Sequence, residues 1–433
     1  MVSGTAPTPS KPSSRSGSKA VATRQRILDA AAKQFRENGY TGTRLADIAT
    51  EALTQTGSLY YHFASREHLV QEVLRVGQER TNKFVIGTVE ALPASVGALD
   101  RLRAAMSAHL TAILDIGDYT AATLRILGQV PEEIRASTMV LQREYGRYWR
   151  TLFENAGAAG ELRHDIDVSS CMMLMLGAMN GTPDWFDPKQ PHGLTLRALE
   201  NHFEVVFLDG LATAKGRRRR TAVGAVRLDT ELASTAPESR GALTTARILD
   251  SAAKVFRKNG YAGTRLLDVA TEAEMQTGSL YYHFDSREDL VTHLLRRAWQ
   301  HTDRIVHLNV DALPARTAPI NRLSTAMTAH LLSVLSEGNY TSAMLRILEQ
   351  VPAEVRSEIA PLQRDYLELW RGLLRSTTEA GDIRPGLDLS VVLMIVTGAL
   401  NWTAEWYRPY RYPGPPELAY QACAVIFDGL STG

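Results

Sequence analysis

The sequence has little cysteine, no apolar run of membrane length and no excess of either charge. Its 433 residues include two cysteines, Cys171 and Cys423, which form no metal-ligand spacing and no disulfide framework. Two buried thiols in a reducing cytoplasm are the expected state. The apolar fraction of 44% is typical of a soluble globular protein. The positively charged start has no apolar stretch of a secretory signal, so we expect a cytoplasmic protein without a membrane partner.

The net charge of +1 does not indicate a nucleic-acid partner, because an overall basic composition is missing. The charge is nevertheless uneven. One basic cluster comprises Lys11, Arg15, Lys19, Arg24, Arg26, Lys33 and Arg36, and another is the run Arg217–Arg220. Clusters of this kind can contact phosphates, although a run of four arginines by itself is more often a solvated linker.

Alternating runs of Val, Ile and Thr, which would indicate strands, are also missing. Apolar residues recur instead at helical spacing, as at Ile27, Ala31 and Phe35. The pattern predicts an all-α fold. With 433 residues, the chain should contain more than one domain.

The chain contains the same subunit-sized sequence twice. Residues 26–63 read RILDAAAKQFRENGYTGTRLADIATEALTQTGSLYYHF, and residues 247–284 read RILDSAAKVFRKNGYAGTRLLDVATEAEMQTGSLYYHF, so roughly four positions in five are identical. The match continues behind this block, for example at 124–127 and 345–348. A repeat this long is not a solenoid; it predicts two homologous units fused head to tail. Identity is highest at the front of each unit, which indicates a strongly constrained function there.

Each unit begins with a supporting helix, which Gly39 ends in the first copy. Thr43 is the expected N-cap of a short second helix, a third short helix holds residues 56–62, and Ser65 caps a long fourth helix. Longer helices with short loops follow, as in a compact bundle, and the last two helices of each unit are the most apolar. The predicted domains are a disordered arm (1–21), helix-turn-helix domains (22–66 and 243–287), helical regulatory domains (67–212 and 288–433) and a basic linker (213–242).

Two short helices joined by a tight turn form a helix-turn-helix, whose second helix lies in the major groove of DNA. Here the sequence resembles the TetR family of bacterial transcriptional regulators. The resemblance is carried by Phe35, Asn38-Gly39-Tyr40, Thr43-Arg44, Ile48-Ala49, the run Gly57 to Phe63, Ser65-Arg66-Glu67 and Leu69, and by the same set in the second copy from Phe256 to Leu290. It implies two tandem units, each with a DNA-binding head and a helical ligand-binding and dimerisation body. No cofactor is expected.

Small and polar residues at the start of a recognition helix can approach base edges, where Gln bridges adenine and Thr meets an acceptor or a thymine methyl. The predicted base readers are Gln55, Thr56, Gly57, Ser58, Gln276, Thr277, Gly278 and Ser279. The residues that resemble the family's phosphate-clamping aromatics are Tyr60, Tyr61, His62, Tyr281, Tyr282 and His283. The predicted backbone anchors are Thr43, Arg44, Arg66, Thr264, Arg265 and Arg287. The alternative for one tyrosine of each pair is packing, and Leu59 and Phe63 are expected in the core.

The sequence departs from the family pattern at the turn. The family usually places glycine between the two short helices, where this chain has Leu53 and Glu274. A side chain at positive φ is costly, so the turn geometry is expected to differ. The family usually caps the recognition helix with Ser or Thr, where Gln55 and Gln276 stand.

Regulators resembling this one bind palindromic DNA as two-fold dimers. Because the fused chain supplies two heads with identical recognition helices, we expect a covalent pseudo-dimer on a near-palindromic operator. The last two helices of each unit would meet as a four-helix bundle. A linker of about 30 residues spans roughly 30 Å as a coil, and tethering raises the effective concentration to about millimolar. Exchange of units between chains, or a four-headed dimer of fused chains, is the rival.

The variable bodies are expected to bind a small-molecule effector. Residues 398–409 are similar to a segment of members that respond to acyl-CoA thioesters, with Arg408 pairing a phosphate and Trp402 lining an acyl or adenine slot. The first copy lacks both residues, so the second unit is expected to bind such a ligand better. The predicted ligand residues are Tyr340, Trp370, Asn401, Trp402, Trp406 and Arg408. The equal alternative is that these aromatics only pack the interface between the units.

Other functions have less support. No nucleophile–base set, phosphate loop or metal cluster indicates an enzyme. A ligand-binding or protein-interaction module with degenerate heads is disfavoured, because the heads are the best-preserved part of the repeat. An architectural DNA-binding protein with weak sequence preference is the third alternative. Repression released by an effector is the family default.

Overall fold

The computed structural model describes residues 14–115, 117–187, 193–210, 214–228, 240–261, 263–336, 338–348 and 350–429. This part of the chain is helical and contains no strand, which confirms the all-α prediction. The first unit comprises α1 (Ser14–Gly42), α2 (Leu45–Glu51), α3 (Thr56–His62), α4 (Arg66–Glu90), α5 (Ala98–Leu114), α6 (Asp118–Ile126), α7 (Glu132–Ala158), α8 (Val168–Asn180) and α9 (Leu196–Phe203), with a 3₁₀ turn at Thr182–Asp184 and a π-helical turn at Glu204–Asp209.

A short helix, α10 (Ala214–Arg219), lies between the units. The second unit comprises α11 (Arg240–Asn259), α12 (Leu266–Glu272), α13 (Thr277–Tyr281), α14 (Arg287–Asp311), α15 (Pro319–Ser336), α16 (Gly338–Ile347), α17 (Ala353–Glu379), α18 (Leu389–Trp406) and α19 (Pro415–Asp428). The order of helices repeats between the units, as the sequence repeat predicts.

Each unit begins with a three-helix head: α1–α3 form head 1 and α11–α13 form head 2. Gly39 leaves helical geometry at φ +68°, where a glycine is at ease, and so ends the regular part of α1 as predicted. Ser65 caps α4, because its hydroxyl accepts the backbone N–H of His68 at 3.1 Å. The head is thereby fixed at the start of the long helix that leads into the body.

The helices extend past the predicted domain boundaries in two places. Because α1 begins at Ser14, residues 14–21 belong to a helix and not to a disordered arm, while residues 1–13 of that arm lie outside the described residues. The helix α10 and the start of α11 likewise occupy part of the predicted linker. These segments contain Ala, Lys and Arg, which have high helix propensity.

Each head rests on a helical body with a tryptophan at its centre. Trp149 on α7 and Trp370 on α17 are fully buried, and each packs edge-to-face against a buried His–Tyr pair. The helices α4 and α14, of 25 residues each, run from the head into the body in both units. Because head and body share one continuous helix, a movement of the body changes the orientation of the head.

The two units pack against each other through α8 and α9 of the first and α18 and α19 of the second. The two bodies form one continuous apolar cluster, which includes Leu174, Met175, Ile395 and Phe427. This is the arrangement of four helices that their apolar composition predicts. It also accounts for α18, the one helix of the described chain that is long and apolar enough to cross a membrane by length and composition: its apolar side chains are buried between the bodies.

Equivalent polar contacts recur on both sides of this interface. The N–H of Asp167 donates to Gln421 Oε1 at 3.0 Å, and the N–H of Asp388 donates to His202 Nε2 at 3.0 Å. Asp167 and Asp388 are equivalent N-caps of α8 and α18. The repetition indicates an approximate two-fold relation between the units.

The backbones of the two units lie close together at Gly210 and Gly429, which follow the last helix of each unit. Both have positive φ, +78° and +79°. A Cβ on Gly210 would overlap the backbone of Phe427 and Asp428, and a Cβ on Gly429 would overlap the backbone of Leu208. Glycine is therefore required twice over at each position, by conformation and by space.

The described part of the linker is docked on the second body and is not a free coil. Asn321 exchanges hydrogen bonds of 2.9 and 3.0 Å with the linker backbone near Arg219. Asn309 does the same at 2.8 and 3.0 Å with the N–H and carbonyl of Arg227. The equivalent residues of the first unit are Thr88 and Asp100, so the docking site is built in one unit only.

Two arginines of the run Arg217–Arg220 also hold the linker against the second body. Arg219 forms a 2.7 Å ion pair with the fully buried Asp382, and Arg220 pairs with Asp428. The more frequent role of such a run, a solvated linker, is therefore not observed for these two arginines, because carboxylates of the second body pair with them. Cys171 and Cys423 are free and buried, as expected.

Candidate nucleic-acid interface

The two recognition helices, α3 and α13, present the same residues to solvent at their starts. Gln55 and Gln276 are the N-caps, and in both heads the side chain makes no capping hydrogen bond. Their amides therefore remain available to a base. A Cβ on Gly57 or Gly278 would meet no atom within 4 Å, so the first turn of each helix has open space for a base edge.

The aromatic residues behind these starts are exposed in both heads. Tyr61 and Tyr282 are 82% and 88% exposed, and Tyr60 and Tyr281 are more than half exposed. Leu59 is buried beneath them, as predicted. Since apolar rings on a surface indicate a partner, this placement favours contact over packing for both tyrosines of each pair.

Thr43 and Thr264 do not lie on the exposed face. They are 3% and 1% exposed, and their hydroxyls donate to backbone carbonyls inside the head at 2.7 Å. This corrects two predictions. A buried and already bonded hydroxyl cannot reach a phosphate, and the N-cap of α2 is Arg44 instead of Thr43.

The predicted arginine anchors fall into two kinds. Arg44 and Arg265 are exposed at the N-caps of α2 and α12. Arg66 and Arg287 lie over tyrosine rings of their own heads, at 4.3 and 4.0 Å from the centroids. The second pair therefore braces the long helix against the supporting helix and presents only part of its guanidinium to a partner.

The turn between the two short helices keeps the geometry of a glycine turn. Leu53 and Glu274 have φ of +51° and +52°, so the expected change of turn geometry is not observed. The side chain is accommodated because it points into solvent, with Leu53 87% exposed. Such a backbone costs an L-residue about 1–2 kcal/mol.

A groove of about 690 Å³ runs beside the second recognition helix. Its lining residues are Thr244, Arg247, Met275, Gln276, Gly278, Ser279, Tyr282 and His283. Thr244 and Arg247, from the start of α11, were missed as DNA-contact candidates. The repeat itself could have identified Arg247, because Arg247 is the equivalent of Arg26, which belongs to the first basic cluster.

A buried polar network in each body was also missed. In the second body, His330 joins the Tyr366 hydroxyl at 2.6 Å to Asn401 Oδ1 at 3.0 Å. The first body repeats this network around His109, at 2.8 and 3.1 Å. Burial lowers the pKa of both histidines to about 4, so both rings are neutral at pH 7. Recurrence of a histidine at equivalent positions of α5 and α15 was the signal.

The six predicted ligand residues are not brought to one place. Tyr340 lies apart, between α16 and α11, where its hydroxyl donates to Asp250 at 2.5 Å. Trp370 and Asn401 join the buried network of the second body. These three positions are occupied by structural contacts.

The other three residues lie along the end of α18. Trp402 packs on Gly177 of the first unit, where a Cβ would overlap its ring, and Trp406 packs against Tyr412 with centroids 4.7 Å apart. The placement of Trp402 gives weight to the alternative that these aromatics pack the interface between the units, whereas Trp406 packs within its own unit. Arg408 follows, with its Nη1 donating to the adjacent carbonyl at 2.7 Å.

Arg408 belongs to a group of three arginines near one carboxylate. Arg346 pairs with Glu405 at 3.1 Å and donates to the Gly128 carbonyl of the first unit at 2.7 Å. Burial lowers the pKa of Arg257; Glu405 opposes this shift, and the positive charges of Arg408 and Arg346 add to it. The group therefore carries an excess of positive charge where head 2, its body and the first unit meet.

Within the described ranges, no three His, Cys, Asp or Glu side chains are grouped to hold an ion.

Comparison with known proteins gives a match to each part of the repeat. A model described as "Bacterial regulatory proteins, tetR family" matches residues 27–73 and 248–294, and one described as "Tetracyclin repressor-like, C-terminal domain" matches residues 95–211 and 316–430. Together the C-terminal matches alone cover more than half of the chain.

Individual relatives span about one unit each. The HTH-type transcriptional repressor KstR2 of Rhodococcus jostii is 26% identical over 43% of this chain and 90% of the relative. The fatty acid metabolism regulator protein of Bacillus subtilis is 22% identical over 36% of this chain and 79% of the relative. The structure of the ketosteroid transcriptional regulator KstR2 of Mycobacterium tuberculosis covers 49% of this chain and 100% of that chain, with 23% identity and a TM-score of 0.40.

The two family models match both copies of the repeat at equivalent residue ranges. The chain belongs to the TetR family of bacterial transcription regulators, with both the DNA-binding domain and the C-terminal domain present twice.

Proposed function

We propose that this chain represses transcription by binding a near-palindromic operator as a covalent pseudo-dimer and is released by a small-molecule effector. The observation that carries the proposal is the pairing of two identical recognition helices with an interface of approximate two-fold character. In the family's mode of binding, half-site spacing mirrors protein symmetry. One fused chain would then supply the symmetry that two separate subunits supply elsewhere.

The docked linker supports pairing within one chain. Asn309 and Asn321 hold the described part of the linker on the second body, and Gly210, at the end of the first unit, lies against the same body. Tethering of this kind favours intramolecular pairing by its effective concentration. Exchange of units between chains would require these linker contacts to break.

Selection of bound sequences from a random DNA pool tests the proposal, with the mass of the complex measured on the winning site. A near-palindrome bound by one chain is the expected result. Two chains per site would replace the pseudo-dimer by a four-headed assembly or exchanged units. Absence of any enriched sequence would favour the ligand-binding or architectural alternatives.

The base-reading residues are tested on the selected site. We expect Thr56→Ala with Thr277→Ala to weaken binding and relax preference at one position of each half-site, because loss of a base contact costs about 1–3 kcal/mol. Unchanged affinity and base preference would remove these residues from the interface. Thr43→Ala, at a buried position, is the control that tests whether a change inside the head alone has the same effect.

For the effector we propose an acyl-CoA-type ligand whose phosphates pair with Arg408 in the second unit. Two observations support this. The group of Arg257, Arg346 and Arg408 faces a single carboxylate, Glu405, whereas the equivalent positions of the first unit hold two arginines and two aspartates, among them Asp187 in place of Arg408. One relative is named as a regulator of fatty acid metabolism. Arginine is suited to phosphate because of its bidentate geometry.

The effector proposal is tested by titrating the protein–operator complex with a medium-chain acyl-CoA and with free CoA. We expect release by the acyl-CoA, and loss of release in Arg408→Asp, which copies the first unit. The matched control Asp187→Arg alters the same position of the first unit and should leave release by the second unit in place. Release that is equally strong in Arg408→Asp would contradict the proposed role of Arg408 in effector binding.

A further inference from the structure

The two heads carry identical recognition helices but different residues directly behind them. We call residues 64–68 rim 1 and residues 285–289 rim 2; they read ASREH and DSRED. The rims differ at two positions: Ala64 is replaced by Asp285, and His68 by Asp289. Each rim starts immediately after the aromatic residues of its recognition helix and contains one arginine anchor.

The two rims have the same backbone arrangement. In rim 1 the N–H of Ala64 donates to His68 Nδ1 at 3.3 Å, and in rim 2 the N–H of Asp285 donates to Asp289 Oδ2 at 3.1 Å. The serine of each rim caps the long helix in both heads. What changes between the rims is therefore charge and not shape.

With histidine neutral, rim 1 holds one positive and one negative side chain, and rim 2 holds one positive and three negative ones. The charges nearby do not cancel this difference. Arg24 and Glu72 form a 2.5 Å ion pair beside rim 1. The equivalent positions of the second unit hold Thr245 and His293, and His293 Nδ1 lies 3.1 Å from Asp289 Oδ1, so the difference in charge is the full one when this histidine is neutral. The arginine one turn farther along the long helix, Arg75 or Arg296, is present in both units.

The arginine anchor of head 2 forms an ion pair with the glutamate that follows it. Arg287 Nη2 lies 3.4 Å from Glu288 Oε1, and the hydrogen bond from the Tyr261 hydroxyl helps to hold the pKa of Glu288 below its usual range. Glu288 therefore stays ionised and shares the charge of Arg287. In head 1 the guanidinium of Arg66 donates to the carbonyls of Thr43, at 3.1 Å, and Tyr40. Glu67 is ionised there as well, because hydrogen bonds from its own backbone N–H and from Ser65, together with the charge of Arg66, lower its pKa. The carboxylates that distinguish rim 2 are therefore Asp285 and Asp289.

We propose that head 1 binds the DNA backbone more tightly than head 2, although both heads read the same bases. The proposal rests on the proposed DNA-binding function. Phosphate contacts supply affinity that does not depend on sequence, so two carboxylates added beside an anchor weaken a head without changing its base preference. Head 1 is then the primary anchor, and head 2 engages its half-site because the tether holds it there.

One-headed proteins test this directly. Gly57→Glu places a negative side chain in the open space of the first recognition helix and blocks head 1, and Gly278→Glu blocks head 2. Because a Cβ at either glycine meets no atom, both variants should fold, which a thermal melt checks. On the selected operator at low salt, we expect the protein with only head 1 active to bind about fivefold to twentyfold more tightly than the protein with only head 2 active.

The charge swap is the second arm. Asp285→Ala with Asp289→His, added to the protein with only head 2 active, should bring its affinity to within about twofold of the other and steepen its salt dependence. The matched swap Ala64→Asp with His68→Asp should weaken head 1 by a similar factor. If neither one-headed protein binds measurably, the same two swaps are compared in the two-headed chain, where they should act in opposite directions.

Equal affinities of the two one-headed proteins, or swaps without effect on an operator that the wild-type chain binds, would overturn the unequal-head proposal and leave the proposed function intact. A wild-type chain without any preferred DNA sequence would instead overturn the proposed function. The base preference of each head, measured on half-site variants, should be the same throughout, because α3 and α13 start with the same residues.

Discussion

The first and second units keep the same interior and differ at their surfaces. The buried histidine networks, the central tryptophans and the recognition helices recur at equivalent positions, because each of them is constrained by packing or by base edges. The linker-docking asparagines, the arginine group around Glu405 and the acidic rim are present in the second unit alone. Once two copies are fused, their interiors remain under the same constraints, whereas their surfaces are free to take different roles.

The contacts between the two units are symmetric in one region and asymmetric in another. The contact of Gly210 with Gly429 holds the two units at one distance and is the same on both sides. By contrast, Arg346 reaches the Gly128 carbonyl across the interface, whereas the equivalent Arg125 is exposed. Pairing is thus symmetric at the bodies and asymmetric near the heads.

The largest expected effect is on the symmetric contact. Gly210→Ala should destabilise the pairing of the units by about 3–5 kcal/mol, because it combines an unfavourable positive φ with overlap of backbone on backbone. Chemical denaturation followed by tryptophan fluorescence measures it. The control is Gly160→Ala, since Gly160 has a φ of +72° but open space around it, and about 1–2 kcal/mol is expected there. An equal loss of stability at both glycines would show that the contact between the units does not contribute to the cost of Gly210→Ala.

The next largest expected effect is on the pH dependence of stability, which depends on the equivalent buried histidines of the two bodies. His109 and His330 have a pKa of about 4 in the fold against about 6.5 in an unfolded chain. The unfolded state therefore binds more protons between these values, so stability is complete above pH 6.5 and falls as the pH drops toward 4. Each histidine should contribute a slope of about 1.4 kcal/mol per pH unit in this window.

Single variants separate the two histidines. His109→Gln and His330→Gln should each lower stability at pH 7 and each remove about half of the histidine-dependent slope, as measured by denaturation at a series of pH values. Unequal losses of slope would mean that the two interiors are less alike than their distances indicate. An unchanged slope in both variants would contradict the assignment of the acid sensitivity to these networks.

The smallest effect on stability concerns the docking site found in one unit. Asn309→Ala with Asn321→Ala should cost about 1–3 kcal/mol in lost linker contacts and should make trypsin cut near Arg219 and Arg227 at least about tenfold faster, because opening of the linker becomes easier. Mass spectrometry of the fragments gives the sites. The matched pair Thr88→Ala with Asp100→Ala, in the first unit, should leave these rates unchanged. Rapid cutting at the same sites in the wild type would indicate that the linker is already free.

Much of the fold follows from the sequence because its signals are local or repeated. Helical spacing of apolar residues predicted the helices, the serine caps predicted the start of α4 and α14, and the repeat predicted the second unit from the first. Thr43 was misassigned because a threonine before a helix resembles an N-cap, whereas its burial depends on the loop that folds over it. The docking of the linker was not predicted, because composition cannot identify partners such as Asn309, Asp382 and Asp428, which lie far away in the chain.

The sequence by itself determined the family, the two-unit organisation and the identical recognition helices, since all of these are written in contiguous or regularly repeated residues. Only the tertiary structure decided which of these side chains are exposed. Whether a tyrosine is exposed, a threonine is enclosed, or an arginine is paired with a carboxylate depends on residues that are distant in sequence and meet only when the helices pack. The unequal rims combine both: their charges are visible in the sequence, but their equivalent backbone positions beside the recognition helices are a property of the fold.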